Sequence, residues 1–524
     1  MRCAFIAIAA CAACDSGRAP RTGRDPNTII VARAADVIAL DLARVSDSES
    51  IEVGELIYEG LVGWKPGTTE IEPRLATRYE VSPDKLVWTF HLRDNVRFHD
   101  GSPLVADAVV FSFARLLDPK HPMYLKGEGA SFHRNFFKDV ARVVAVDEHT
   151  IEIHLDRPYA PLLPDLAIFP IVSPTAVQQW GDAFAQHPVG TGPFAFEHWT
   201  RGSELVLVRW CGYWGARPAL DRIVFQVVAD ARQRLIDLES GSVDLASAIL
   251  PDEQAFVELH PDLELFHTEG NNITYLAFNT QQPPFDDVRV RRACNLAVNK
   301  QPIVKLAYFG RASAADGPLP PKQWGYHAAA TTYGYDPAAA KALLAEAIAD
   351  GTFDPQRTYK LYAPSTPRPY VSQPERVARF VQAGLEQVGV HTQLVLQKYP
   401  DHRAAVENGN HDIALFGWSA DTGDPDNFLY VLLDSDNAVV GQAQNVAFYR
   451  DPEVDRLLRA AQVEDAQQAR SDLYAQVQDK IAADAPWVPI AHSELVVAGR
   501  ASLEHVVLSP TGHPVYSLIR RRAP

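Results

Sequence analysis

The sequence predicts an α/β protein that contains more than one structural unit. Segments with the two-residue alternation of strands are interspersed with segments in which apolar residues recur at helical spacing. The chain has 524 residues, and at about 150 residues per domain this length corresponds to roughly three units. Apolar residues make up 47% of the chain and charged residues 22%, which is ordinary for a globular protein and excludes a disordered one.

In the first half of the chain, strand and helix patterns are mixed. Residues 85–93, KLVWTFHLR, alternate as a half-buried strand does, and Asp100-Gly101 predicts the turn that follows. A helix is expected between Pro103 and Asp118, because apolar residues recur there every three or four positions. The other elements predicted in this half are strands at 204–209 and 223–228 and a helix at 231–239.

From residue 273 onwards, strands and helices alternate, which favours a mostly parallel sheet covered by helices. The predicted strands are 273–279, 357–362, 392–397 and 412–418, and the predicted helices are 288–298, 337–349, 375–388 and one long helix at 452–482. A stretch rich in proline and glycine, 317–335, is expected on the surface. This half is therefore expected to form a second α/β unit.

The N-terminus is typical of an export signal, at residues 1–14. One positive charge precedes an apolar run that is far shorter than the 18 or so residues needed to span a bilayer. Two overlapping segments, ending at Cys11 and Cys14, resemble the box of bacterial lipoproteins, whose cysteine is lipidated. Cys14 is the favoured lipidation site because a polar tether, 15–27, follows it, although Ile8 suits the Cys11 box. A signal that is simply cleaved is the alternative.

Outside this leader only two of the five cysteines remain, Cys211 and Cys294. Both fall in apparent regular elements 83 residues apart, so two buried free thiols are expected. A single disulfide between them is the alternative in an oxidising compartment.

Charge and motif content exclude several classes of function. With 49 basic and 65 acidic residues the formal charge is −16, so a nucleic-acid partner is not expected. The chain contains no G-x-S-x-G elbow, P-loop, H-E-x-x-H pair or glycine-rich dinucleotide motif. No catalytic residue, cofactor or metal site is therefore expected, although two carboxylates distant in sequence remain an open possibility.

One acidic residue follows a predicted strand at a position where α/β sheets bind ligands. Residues 412–428, DIALFGWSADTGDPDNF, run from an apolar strand into an acidic loop, and Asp421 comes just after the strand's carboxyl end. Asp424 and its neighbours are expected to build the turn. Taken alone, Asp421 is more typical of a solvated loop residue than of a ligand-binding one.

Arg368 occupies the corresponding place after the strand predicted at 357–362. Its loop, APSTPRPYVSQP at 363–374, is stiffened by prolines, which reduces the entropy lost when a side chain grips a ligand. A guanidinium group suits a carboxylate and Asp421 suits an ammonium group, so the two residues are candidates for flanking a zwitterion. The alternative is a surface arginine.

Several segments together resemble one protein family. They are ELIYEGLVGW at 55–64, PRLATRYEVSPDKLVWTFHLRDNVRFHDGSPLVADAVVFSFARLLDP at 73–119, VGTGPFAFEHW at 189–199, AFNTQQPPFDDVRVRRACNLAVNK at 277–300, YDPAAAKALLAEA at 335–347 and GWSADTGDPDNF at 417–428. The chain resembles the peptide/nickel class of bacterial extracellular solute-binding proteins, which serve ABC importers. RPY at 368–370 with GDPDNF at 423–428 resembles the dipeptide-binding members most.

The resemblance implies roles for particular residues. In dipeptide-binding members the arginine of RPY binds the peptide's carboxylate and the aspartate ahead of GDPDNF binds its α-amino group, which assigns these roles to Arg368 and Asp421. Trp418 and Tyr370 are expected to wall the side-chain pockets, although aromatic residues at strand ends are often core residues. Ser419-Ala420 replaces the usual Thr-Gly, so the side-chain preference is left open.

The resemblance also implies the two-lobed α/β fold of periplasmic binding proteins, the Venus-flytrap fold, with a subdomain inserted in the first lobe. The expected boundaries are 28–272 with 489–524 for lobe one, about 50–188 for the insertion, and 273–488 for lobe two.

The expected function is that of a periplasmic, lipid-anchored and monomeric substrate-binding protein, which captures dipeptides or short peptides in the cleft between its lobes and delivers them to ABC transporter permease subunits. The alternatives are another solute (a longer oligopeptide, glutathione, a nickel chelate or haem) and a periplasmic hydrolase.

Overall fold

The computed structural model describes residues 25, 27–510 and 512–522. The strands are β1 (Thr28–Arg33), β2 (Val62–Trp64), β3 (Ile71–Pro73), β4 (Ala76–Val81), β5 (Val87–Leu92), β6 (Val140–Asp147), β7 (Thr150–Leu155), β8 (Phe194–Thr200), β9 (Glu204–Arg209), β10 (Arg222–Val227), β11 (Leu245–Ser247), β12 (Leu263–Glu269), β13 (Asn272–Phe278), β14 (Ala312–Ala314), β15 (Tyr359–Pro364), β16 (Thr392–Gln397), β17 (Ile413–Ser419), β18 (Trp487–Arg500), β19 (Leu503–Glu504) and β20 (Arg520–Arg521).

The helices alternate with these strands along the chain. They are α1 (Ser48–Ile57), α2 (Ala106–Leu117), α3 (Glu128–Phe136), α4 (Leu162–Ala167), α5 (Pro174–Trp180), α6 (Ala231–Ser240), α7 (Gln254–Leu259), α8 (Val288–Ala297), α9 (Lys300–Ala307), α10 (Pro337–Ala349), α11 (Pro374–Val388), α12 (Tyr399–Glu407), α13 (Asp426–Leu433), α14 (Pro452–Val463) and α15 (Gln467–Asp484). Short 3₁₀ turns lie at Leu42–Arg44, Gly181–Gln186, Ser435–Asn437 and Tyr516–Leu518.

One large sheet runs through the molecule, in the strand order β16-β15-β17-β13-β18-β11-β1-β10-β9-β8, and β12 and β14 also pair with β18. The apolar residues of 273–491 form two large buried clusters at one end of this sheet and a small third cluster nearby, at Ala438, Ala443 and Phe448. Those of 29–263, joined by residues of 497–519, form two clusters at the other end. The candidate site residues belong to the end that carries β15 and β17.

One strand, β18, pairs with strands of both ends. Its first residues pair with β13, Ala491 to Ser493 pair with β14, and its last residues pair with β11 and β12. The 14 residues of β18 thus contribute hydrogen bonds to both halves of the molecule.

A separate antiparallel sheet, β4-β5-β7-β6, lies within the first part of the chain. Its alternating strand β5 buries Trp88, Phe90 and Leu92 against a cluster that includes Phe113 of α2. This alternation is the pattern that the sequence predicts for 85–93.

Most predicted elements are present within a few residues of their expected ends. Gly241 adopts the left-handed conformation that ends α6, and Asp336 caps α10 through two backbone N–H groups, as their sequence contexts indicate. The sheet of the second half is mixed, however. β15 is parallel to β16 and β17, whereas β13 is antiparallel to β17 and β18, so the expectation of a mostly parallel sheet is wrong.

The long helix predicted at 452–482 is two helices, α14 and α15. Tertiary contacts satisfy carbonyl groups at the break: Arg470 Nε donates to Ala461 O at 3.0 Å, and Ala160 N donates to Gln462 O at 2.7 Å. No proline or glycine marks the break in the sequence.

One expectation about burial is wrong, and a second holds only in part. Cys294 is a buried free thiol as expected, but Cys211 is exposed because it lies in the turn after β9. Most of the stretch 317–335 is exposed or half-buried as expected, but residues 318–320 and Gln323 are buried, and Gln323 and Trp324 both donate to Gly423 O.

The predicted signal at 1–14, including the lipidation site Cys14, and most of the tether at 15–27 lie outside the described residues. None of the helices in the described part of the chain has both the length and the hydropathy of a membrane-spanning segment.

Candidate functional site

The candidate site lies where two neighbouring parallel strands end. Leu361 and Tyr362 of β15 pair with Ile413 and Ala414 of β17, so both strands point their carboxyl ends to the same edge of the sheet. β15 ends at Pro364 and β17 at Ser419. The loops that carry Arg368 and Asp421 therefore leave from one edge, as the sequence predicts.

The Arg368 loop is a tight turn with a fixed backbone. Arg368 and Val371 exchange two backbone hydrogen bonds, at 2.9 and 3.0 Å. Inside the turn, the Tyr370 carbonyl accepts a 2.7 Å hydrogen bond from Thr274 Oγ1, which in turn accepts one from Tyr308 OH. A buried hydrogen-bond chain from β13 therefore fixes the position of the RPY segment.

Tyr370 connects this turn to β17. A Cβ atom on Gly417 would lie 2.3 Å from Tyr370 Cδ2, so the ring packs in a space that only glycine leaves open. Tyr370 is 4% exposed. The Arg368 loop thus contacts β17 at the residue that precedes Trp418.

The Arg368 side chain is partly buried and lies over an aromatic ring. Its guanidinium carbon is 3.6 Å from the ring centroid of Tyr399, the first residue of α12. Among the described residues Arg368 makes no ion pair with a carboxylate.

The second loop is organised by Asn427, at the start of α13. Asn427 Oδ1 accepts hydrogen bonds from Trp418 Nε1 at 2.9 Å and from Asp421 N at 3.0 Å, and its amide donates to Asp421 Oδ2 at 3.4 Å. Trp418 and Asp421 are both partly exposed, whereas Asn427 is buried. One buried amide therefore orients both candidate side chains.

Asp421 sits in an environment that disfavours its charge. Burial raises its pKa from 3.8 to about 6, and the hydrogen bond from Asn427 only partly offsets this effect. Among the described residues no basic side chain forms an ion pair with it. A cationic group placed beside Asp421 would compensate this charge.

Asp424, expected to build the turn, does so and also forms a buried ion pair. Its carboxylate accepts from Asp426 N at 2.9 Å, and both its oxygens accept from Arg470, at 2.6 and 2.8 Å. Asp426 is buried and its pKa is raised to about 7, mainly by desolvation and then by Asp424. The pair ties the loop to α15.

The opposite end of the molecule closes over this loop. A Cβ atom on Gly423 would lie 2.3 Å from Thr69 Cβ. Lys85 Nζ lies 2.9 Å from Asp465 Oδ1, and Lys138 lies over the ring of Tyr430 at 5.3 Å. The structure thus has its two halves in contact beside the candidate site.

The sequence located four of the residues at this edge, namely Arg368, Tyr370, Trp418 and Asp421. It did not indicate Tyr399 or the role of Asn427. Tyr399 opens the helix after the next parallel strand, β16, so the rule that identified Arg368 and Asp421 also applies to it. Arg470 has no local signal, because its partner lies 46 residues away in sequence.

No group of three or more His, Cys, Asp or Glu side chains in the described part of the chain has an arrangement that would hold a metal ion.

Comparison with known proteins identifies the class. The family described as bacterial extracellular solute-binding proteins, family 5 middle, matches residues 70–439. The chain is 35% identical to heme-binding protein A of Haemophilus influenzae over 507 residues, covering 94% of this chain and 91% of that protein. It is 34% identical to the dipeptide-binding protein of Escherichia coli over 477 residues, covering 87% of each.

A solved structure shares the fold. The periplasmic binding protein DppA of Helicobacter pylori, in complex with the peptide STSA, superposes with a TM-score of 0.80 at 32% identity and covers 95% of this chain and 98% of that one. The two-lobed periplasmic binding protein fold predicted from the sequence is therefore confirmed. The protein is a solute-binding protein. It belongs to family 5 of the bacterial extracellular solute-binding proteins, the substrate-binding components of ABC importers.

Proposed function

We propose that the protein binds dipeptides or other short peptides in the cleft between its lobes, with Arg368 at the ligand's carboxylate and Asp421 at its α-amino group. The observation that carries this proposal is that opposite charges follow neighbouring parallel strands at one sheet edge. Neither charge has an ion-pair partner among the described residues. A zwitterion offers the missing partner to each.

Fixed anchors make peptide length a matter of geometry. An extended residue adds about 3.3 to 3.6 Å, so a site that holds both termini accepts a narrow range of lengths. Dipeptides are the proposed ligands because relatives carry this name, among them the dipeptide-binding protein of Escherichia coli. Trp418 and Tyr370 are proposed to wall the side-chain pockets.

The proposal extends to the cellular setting. A monomeric protein in the periplasm, anchored through a lipid on Cys14, would release its ligand to permease subunits and catalyse no reaction itself. The lobes are proposed to comprise 28–272 with 489–524 and 273–488, with the insertion near 50–188. Mass spectrometry of the membrane fraction tests the anchor, since lipidation adds acyl chains at one cysteine.

A thermal-shift panel on protein refolded without ligand tests the proposed solute. The panel contains Ala-Leu, Gly-Phe, Lys-Ala, tri- and pentapeptides, N-acetyl and C-terminal amide derivatives, glutathione, nickel–histidine and haem. A ligand at 100 times its dissociation constant adds about 2.7 kcal/mol to the free energy of unfolding, which is readily measured.

We expect stabilisation by free zwitterionic dipeptides and a smaller effect of their blocked derivatives. Stabilisation by haem or glutathione alone would contradict the peptide assignment while leaving the solute-binding class intact. Haem belongs in the panel because the relative from Haemophilus influenzae is named for binding it.

A further inference from the structure

Two donors in the Arg368 turn are buried without a well-aligned hydrogen bond. Arg368 Nε and Tyr370 OH are both shielded from solvent, and neither has an acceptor in good geometry within the described residues, although Tyr370 OH lies next to the side chains of Arg368 and Tyr399. Most buried polar groups are paired, because an unpaired buried donor costs free energy. An acceptor atom of a bound ligand would be a hydrogen-bond partner for these two donors.

The Tyr370 hydroxyl is held in place and stays protonated. The hydrogen bond from Thr274 fixes the backbone of Tyr370, and the ring packs against Gly417. Burial raises the pKa of the phenol well above its usual value. It is therefore a neutral donor in a fixed position, of the kind that binds an anion without adding a charge.

Tyr399 restricts the orientation of the guanidinium group. With its carbon 3.6 Å from the ring centroid, the group lies against the ring face. Because Tyr399 begins α12, the ring is attached to a regular element. A lysine in place of Arg368 would lose both the stacking and the paired donors.

We propose that Tyr370 OH donates a hydrogen bond to the ligand's carboxylate beside Arg368, and that Tyr399 is the positioning residue that aligns the guanidinium group for the same carboxylate. This inference rests on the proposed function, because it assumes that Arg368 faces a carboxylate. It assigns Tyr370 a polar role in addition to that of a pocket wall.

The experiment compares two ligands: the free-acid dipeptide that stabilises the protein most in the panel, and its C-terminal amide. Titration calorimetry gives the acid-to-amide affinity ratio for the wild type, Tyr370→Phe, Tyr399→Phe, Tyr399→Leu and Arg368→Lys. Tyr335→Phe is the matched control, because its hydroxyl bonds Gln387 on the surface, away from the site.

Tyr370→Phe should lower affinity for the free acid by roughly tenfold and for the amide by less, since hydrogen bonds to a charged acceptor are the stronger ones. Tyr399→Leu should reduce the acid-to-amide affinity ratio. Tyr399→Phe keeps the aromatic ring, so its ratio should equal that of the wild type. A purely structural role would lower the affinity for both ligands alike and leave the ratio unchanged. Tyr335→Phe should match the wild type.

The outcomes separate the two proposals. If Arg368→Lys abolishes the acid preference while Tyr370→Phe and Tyr399→Leu leave the ratio unchanged, the carboxylate site stands and the inference is wrong. If the wild type does not prefer the acid to the amide, both fail, because Arg368 then faces no carboxylate.

Discussion

Beyond the carboxyl end of β17, the Asp421 carboxylate accepts a hydrogen bond from the Asn427 amide, and its pKa is raised to about 6. The unfolded chain ionises near pH 3.8, so the folded protein holds the proton more tightly between about pH 4 and 6. This carboxyl therefore adds stability at low pH, and the contribution is lost as the pH rises through 6. Stability is lost because the ionised Asp421 carboxylate is then buried without a cationic ligand beside it.

The same titration predicts how binding depends on pH. An ammonium group pairs with the ionised carboxylate, so affinity for free-amine dipeptides should fall below pH 6, approaching tenfold per pH unit. Calorimetry between pH 5 and 8 measures this dependence. N-acetyl dipeptides should show little of it.

Asp421→Asn is the control for that experiment, because Asp426 nearby also has a raised pKa, of about 7. The variant should bind free-amine dipeptides weakly and with a flat pH profile. A profile as steep as that of the wild type would assign the titration to another group and remove Asp421 from the ammonium site.

Asn427 is expected to affect both stability and ligand affinity, although it is buried beneath Trp418 and Asp421. Asn427→Ala leaves Trp418 Nε1 and Asp421 N without their acceptor, and each lost hydrogen bond costs about 0.5 to 1.5 kcal/mol because both residues are only partly buried. Both stability and dipeptide affinity should fall, as measured by urea unfolding and calorimetry. Asn408→Ala, at an exposed helix end, should change neither. Unchanged affinity in Asn427→Ala would show that the loop keeps its shape without the amide.

Among the elements, α15 bears most directly on the site, because Arg470 holds the loop through Asp424. The side chains of the pair are 6% and 3% exposed. Arg470→Met leaves a buried carboxylate unpaired, and breaking such a pair costs about 3 to 5 kcal/mol. Urea unfolding measures the loss.

Arg379→Met provides the comparison. Its pair with Glu375 is exposed on α11, and pairs of that kind contribute under about 1 kcal/mol. Equal losses for Arg470→Met and Arg379→Met would mean that the pair with Asp424 does not stabilise the loop.

The elements also show what local sequence can and cannot predict. The ends of α6 and α10 follow from Gly241 and Asp336, because a cap acts within a few residues. The break between α14 and α15 does not follow, since Ala160 and Arg470 supply the groups that satisfy its carbonyls. The candidate site also has one part that local sequence predicts and one part that it does not. Periodicity and turn residues locate Arg368 and Asp421, whereas the stack on Tyr399 depends on how the helices pack.

At the scale of the whole molecule, the contact of Thr69 with Gly423 limits how closely the lobes approach. In Gly423→Ala the added Cβ atom would lie 2.3 Å from Thr69 Cβ, so the closed arrangement should be disfavoured. Dipeptide affinity should fall by about tenfold or more, and small-angle scattering with ligand should show a larger radius of gyration.

Gly334→Ala is the matched variant, because a Cβ atom there has nothing within 4 Å. It should bind and compact as the wild type does. If Gly423→Ala behaves in the same way, the lobes of the liganded protein do not meet at this point.

The shared strand β18 has a consequence for how the chain reaches its native state. The first strand, β1, pairs with β11. The other edge of β11 pairs with residues 497–499 of β18, which are among the last of the chain to be synthesised. Such pairings between distant residues are formed late and slowly. A ribosome-bound chain that ends before Trp487 would leave an open strand edge on β11, β12 and β13 at once, so neither lobe should resist protease until synthesis is almost complete.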